Sequence, residues 1–135
     1  MEKKIRNKNQ EPKKLDLCPK IKYMIWKSVL QFFAERVRDF CLKLPKNTVN
    51  TQYIPQLVRA ASSPGANYIE ANESIGDKDF LMKIKICRRE AKESSYWLRL
   101  VITDQTEEME KQRAYLRQES REFVLIFTAI LRKRG

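Results

Sequence analysis

Four polar side chains, Arg59, Ser63, Asn67 and Glu70, follow one another at intervals of four, four and three, which places them on one side of a helix. Two further carboxylates, Glu90 and Glu93, stand three apart downstream. As a catalytic row, this set would use Glu70 with Glu90 as general acid and base. As a structural row, it would form a hydrogen-bonded network where two helices or two subunits meet, with small Ser63, Gly65 and Ala66 allowing close approach. The surroundings favour the structural role. The chain has no histidine, no cysteine near the row and no glycine-rich phosphate loop, so a carboxylate pair stands alone as a chemical signal, and structural ion pairs commonly imitate sites. Glu90 and Glu93 are candidate partners for Arg59, although their two-sided placement argues against both touching it at once. The expectation is a protein that is not an enzyme and carries no cofactor.

Cysteine chemistry is equally unpromising. Cys18, Cys41 and Cys87 are odd in number, far apart and without histidine, so neither a disulfide framework nor a metal site is a natural reading. They suit a reducing cytosol, and a cytoplasmic location is expected. The charged N-terminus lacks the apolar stretch of a signal peptide, and the longest apolar run, Phe123 to Leu131, is too short to span a bilayer. No membrane role is expected.

The elements that position these residues are helical. With 135 residues, only three glycines and 42% apolar content, the chain reads as one all-α domain. Residues 1–16 are polar and basic, without periodic apolar positions, and read as a disordered arm; residues 17–135 read as the folded domain. A first helix is expected from about Lys22 to Leu44, with Trp26, Phe33 and Phe40 spaced by seven beside Leu30, Val37 and Leu44. A second should start near Thr51, bury Ile54, Leu57, Ala61 and Tyr68, kink at Pro64 and end at Gly76 as a C′ glycine. A third, capped by Asp77, should turn Leu81, Ile84, Ala91, Ser95, Leu98 and Ile102 inward. A fourth is marked by Met109, Leu116, Phe123 and Ile130 at strict sevens. Four helices with short connections predict an antiparallel up-and-down four-helix bundle with both termini at one pole. A second apolar stripe on the third helix, Met82, Ile86, Trp97 and Leu100, would be left in water by the bundle and is the expected contact of a homo-oligomer.

The net charge of +11 gathers at the ends of the sequence. Eight basic and three acidic residues lie in Met1 to Lys22, seven and two in Lys111 to Gly135, and thirteen and twelve between them. Both basic segments should converge on one pole, a field suited to a phosphate backbone. Lys13, Lys14, Arg113, Arg117, Arg121, Arg132, Lys133 and Arg134 are the candidate contacts to RNA or DNA. Base recognition is not expected, because aromatics are not interleaved with these cations as a stacking platform requires. The competing reading is a scaffolding oligomer with a protein partner, whose charge only keeps it soluble.

The middle of the chain carries a family resemblance. Arg59, Ser63, Pro64, Asn67 and Glu70, then Asp79 and Phe80, then Glu90, Glu93 and the Tyr96, Trp97, Leu98 triplet resemble the 23S rRNA-intervening sequence proteins over about Lys43 to Val101. The resemblance implies an up-and-down bundle that commonly assembles as a homopentamer. Through a related retroelement accessory protein, it also implies RNA or a reverse transcriptase as a partner. It implies no catalytic residue.

Overall fold

In the computed structural model the described residues are 18–134, and the basic arm at 1–16 with its Lys13 and Lys14 lies outside them. Four helices follow in order: α1 (Pro19–Leu42), α2 (Thr48–Ala71), α3 (Asp77–Leu100) and α4 (Glu107–Arg134). Each begins where local chemistry permits. Pro19 opens α1, where the missing N–H costs nothing. The Asn47 side chain accepts the Asn50 N–H at 2.8 Å to cap α2. Thr106 accepts the Met109 N–H at the start of α4, whose first turn holds Glu107, Glu108 and Glu110 and whose last holds Arg132, Lys133 and Arg134. These charges oppose the helix dipole at both ends.

Gly76 serves a different helix from the one expected. Helix α2 ends at Ala71, with the Asn72 amide returning a hydrogen bond to the Tyr68 carbonyl at 2.8 Å. Gly76, at φ 86°, is instead the N-cap of α3, a left-handed conformation that strains any residue with a Cβ. Asp77 is therefore the first residue of α3. Helix α2 runs unbroken through Pro55 and Pro64. Pro64 has no N–H to offer the Ala60 carbonyl, and this missing rung is where a kink is expected.

The bundle is antiparallel throughout. Tyr23 near the start of α1 stacks on Tyr68 near the end of α2 at 5.7 Å, and Arg134 at the end of α4 reaches Asp77 at the start of α3. The start of α1 and the end of α4 therefore share a pole. Helices pack α1 on α2, α2 on α3, α3 on α4 and α4 on α1, and the α1–α4 seam is the thinnest. The core is Leu30, Phe33, Val37, Phe40, Leu57, Tyr68, Ile84, Leu98, Leu116, Phe123 and Phe127. Phe33 meets Phe123 edge to face at 5.2 Å, a geometry worth about 1 kcal/mol beyond the area it buries. The inward side of α3 is broader than expected and the helix is shorter. Ile84, Ala91 and Leu98 are buried as predicted, Leu81 and Ser95 are half-buried, and Cys87, Glu90 and Ser94 also face inward; beyond the helix end at Leu100, Val101 is buried and Ile102 exposed.

At the pole away from the termini, one amide ties two loops together. Asn50 is fully buried and donates to the carbonyls of Pro45 at 2.8 Å and Ile102 at 2.9 Å, while its oxygen accepts the Ile102 N–H at 2.9 Å. No helix among the described residues is long and apolar enough to cross a membrane.

Candidate nucleic-acid interface

Helix α3 presents charged residues to both neighbours, and the two sides are built differently. Toward α2, every charge is answered. Arg59 donates to Glu90 at 3.0 Å and to Glu93 at 3.2 Å. The expectation that one arginine would not reach both is thus overturned: residues three apart are neighbours on a helix, and the guanidinium fork spans them. The hydrogen bond to Glu93 and the charge of Glu90 push the Arg59 pKa further up. Glu90, only 4% exposed, also meets Arg89 at 3.4 Å. Glu70 holds Lys83 at 2.8 Å, and the Asn67 amide donates to Ser63 Oγ at 2.9 Å and to the Ser63 carbonyl at 3.0 Å. Cys87 Sγ lies 3.4 Å from the Pro64 carbonyl, and burial pushes its thiol up to about 12. All four residues of the polar row are thus committed to one another or to α3. Glu70 and Glu90 are each neutralised by a separate cation, an arrangement suited to holding helices together.

Toward α4, cations stand without carboxylates. Lys85, Arg88, Lys92 and Arg99 recur along α3 at intervals of three, four and seven and share a face. Arg117, Arg121 and Arg132 run along the adjoining side of α4. Arg88 donates to Thr128 Oγ1 at 3.4 Å and Arg117 to Ser95 Oγ at 3.3 Å, so the two rows meet over the seam. Lys92 and Arg121 line one open groove with Ser95, Gln118, Val124 and Leu125. Among the described residues none of these seven cations has a carboxylate within ion-pair distance. The acids of α3 beyond its first turn, Glu90 and Glu93, point to α2. Of the α4 acids past Glu110, Glu119 takes Arg36 of α1 at 3.3 Å while burial, and then the nearby Glu122, raise its pKa, and Glu122 itself accepts a hydrogen bond from Gln118 at 3.3 Å. Arg117 registers the resulting field: burial lowers its pKa, and Arg121, Arg99 and Arg113 lower it further by repulsion.

The remaining expected contacts divide sharply. Arg113 is 16% exposed and donates to the carbonyls of Leu98, Arg99 and Val101 at 2.9, 2.9 and 2.8 Å. It closes the C-terminus of α3 at the pole away from the termini, so substituting it would disturb the fold. Its neighbour Glu110 also accepts from the Thr103 hydroxyl, and that bond, with the one from Arg113, lowers its pKa. Arg134 pairs with Asp77 and covers the Phe80 ring at 4.0 Å. Arg132 and Lys133 are exposed near the terminal pole. The row on α3 was missed because its segment is nearly neutral overall, but the helical spacing of Lys85, Arg88, Lys92 and Arg99 was available in the sequence.

Of the expected oligomer contact, Met82 is 54% exposed, while Ile86, Trp97 and Leu100 are half-buried, with Trp97 against Tyr53 at 5.7 Å and Tyr96 at 5.3 Å. A stripe that sequence reasoning overlooked is more open: Ile21, Met24, Ile25 and Phe32 all face outward on α1.

The profile of the 23S rRNA-intervening sequence protein family matches residues 22–126. The structure is similar to that of a protein of unknown function from the S23 ribosomal protein family of Bacteroides thetaiotaomicron. The TM-score is 0.64 at 31% identity, over 78% of this chain and 96% of that one. No curated protein is significantly similar. The matched span takes in the Arg59–Glu90–Glu93 network and nearly all of the helices that carry both faces of α3: the chain belongs to the 23S rRNA-intervening sequence protein family.

Proposed function

We propose that this chain is a non-catalytic nucleic-acid-binding protein that grips phosphates with the outer face of α3 and α4, largely without regard to base sequence. The observation that carries the reading is the group of seven cations, Lys85 to Arg132, that no carboxylate among the described residues answers. Clustering like charges raises the energy of the free protein, and a polyanion relieves it while releasing its own counterions. This face replaces the terminal pole as the proposed centre of binding, with Lys133 near its terminal end and Arg113 excluded by its structural hydrogen bonds.

The test is salt. The logarithm of affinity for a mixed-sequence oligonucleotide should fall linearly with the logarithm of salt concentration. Exchanging Arg88, Lys92, Arg117 and Arg121 for Gln should lower that slope by roughly one for each phosphate no longer neutralised. An unchanged slope would favour the scaffolding alternative. That alternative draws its own support from the open apolar stripe on α1, and we propose assembly into a homo-oligomer through apolar faces such as this one and Met82. Light scattering decides it: a species of 16.1 kDa at micromolar concentration would refute assembly.

A further inference from the structure

We infer that Tyr96 stacks on an unpaired nucleobase, so that the ligand of the outer face of α3 is single-stranded nucleic acid, with phosphates held on either side of the ring. The inference rests on the phosphate-binding reading above and narrows it to a ligand class.

Tyr96 sits inside the α3 row of cations, four residues after Lys92 and three before Arg99. Side chains at those spacings are neighbours on a helix, about 5–6 Å apart at Cβ. The ring therefore has a cation before it and another after it along the helix axis. All three side chains are exposed, Tyr96 at 57%. The interleaving of ring and charge that a stacking platform requires is thus present on α3, in the row that sequence reasoning missed.

The ring is both braced and open. Trp97 meets it in a T-shaped contact at 5.3 Å, and Tyr53 of α2 backs Trp97 at 5.7 Å. A T-shaped contact covers at most one face of the ring, and the bracing limits the freedom that a docking base would have to remove. Other rings are already taken by cations: Lys27 lies over Tyr23, Arg36 over Tyr115 and Arg134 over Phe80, whereas among the described residues no cation lies over Tyr96. In a duplex the base faces cover one another and only their edges reach the grooves. A ring fixed on a helix therefore finds a base face only where the base is unpaired. Every base has such a face, so stacking adds affinity without selecting sequence. Lys92 and Arg99, which have no carboxylate within ion-pair distance among the described residues, then take the phosphates that flank the stacked base.

Fluorescence anisotropy with the full chain tests this on three probes of about 16 nucleotides: oligo(dT), an abasic strand of the same length and charge, and a mixed-sequence duplex. At equal salt, oligo(dT) should bind roughly fivefold or more tightly than the abasic strand. Tyr96→Leu keeps apolar bulk against Trp97 but removes the ring, so it should erase that preference while leaving the salt slopes and the duplex affinity unchanged. Tyr96→Phe should retain the preference. Lys92→Gln with Arg99→Gln should lower the salt slope by about two on both strands. Circular dichroism confirms that each variant is folded. An abasic strand that binds as tightly as oligo(dT), or a Tyr96→Leu variant that keeps the preference or weakens the duplex equally, overturns the stacking inference and leaves phosphate binding standing. If no probe binds, or if the paired Gln substitutions leave both slopes unchanged, phosphate binding on this face falls and takes the stacking inference with it.

Discussion

The two sides of α3 use nearly the same residue types to opposite ends. Toward α2, Arg59 meets Glu90 and Glu93 and Lys83 meets Glu70, so the charges hold helices together. Toward α4, arginines face arginines across the seam, held by the hydroxyls of Thr128 and Ser95 and by the Gln118 amide oxygen. The difference teaches that charge must be counted by face and not by segment. A stretch with equal numbers of acids and bases can put all of its acids on one side.

The comparison can be broken or sharpened at several points. The largest effect is expected on the α2 side, which should be closed to solvent. Cys87 there and Cys41 in the core are both raised by burial from 9 to about 12, so at pH 8 each should react with a thiol reagent roughly a thousandfold more slowly than a thiol of ordinary pKa. Because the folded pKa lies above the unfolded one, the stability these thiols contribute is complete below pH 9 and is lost as the pH climbs toward about 12. Fast modification of Cys87 in the native protein would show that the paired seam is not closed.

Next is Arg113, the one α4 arginine whose charge is directed at backbone carbonyls. Arg113→Ala should cost about 2–3 kcal/mol in urea denaturation and leave the salt dependence of nucleic-acid binding unchanged. A loss of binding slope without loss of stability would return Arg113 to the nucleic-acid face.

A double-mutant cycle on Arg59→Met and Glu90→Gln probes the paired side directly. Arg59→Met should cost about 1–2 kcal/mol, because it strips a buried carboxylate of its nearest cation while Arg89 remains. The coupling energy should exceed ~0.5 kcal/mol; strict additivity would mean that the pair does not hold the two helices together.

The smallest change in stability belongs to the unpaired side. Arg117→Leu removes both a burial cost and repulsion from Arg121, Arg99 and Arg113, so the unfolding free energy should stay within ~0.5 kcal/mol of its original value or rise. Affinity for a mixed-sequence oligonucleotide should nevertheless fall several-fold. A clear destabilisation would mean that the hydrogen bond to Ser95 outweighs the repulsion.

Much of the fold was legible because large apolar residues at sevens have only one side to hide on: Phe33 and Phe40, Leu116 and Phe123 all lie where their spacing puts them. Which serine of α3 faces inward was not legible, since Ser94 and Ser95 are the same residue at adjacent positions and nothing in their type decides between them. Packing against α2 and α4 chooses Ser94, and the end of the helix at Leu100 leaves Val101 buried and Ile102 exposed. The Arg59 network was readable in its members but not in its pairing, which depends on the register between α2 and α3. Gly76 could cap either neighbouring helix by type alone, and its backbone angle assigns it to α3. The basic face was hidden because Glu90 and Glu93 cancel Arg88 and Lys92 along the sequence while pointing the other way in space.

Asn50 joins the α1–α2 loop to the α3–α4 loop with one side chain, and this makes the far end of the molecule behave as a riveted joint. Neither loop can swing out alone without stranding a buried amide, so opening there is all or none. The Ile102 amide proton, though it belongs to no helix, should be traded with solvent on the timescale of whole-domain unfolding and not of loop motion. Whatever binds the protein can flex its terminal pole more freely than the riveted one.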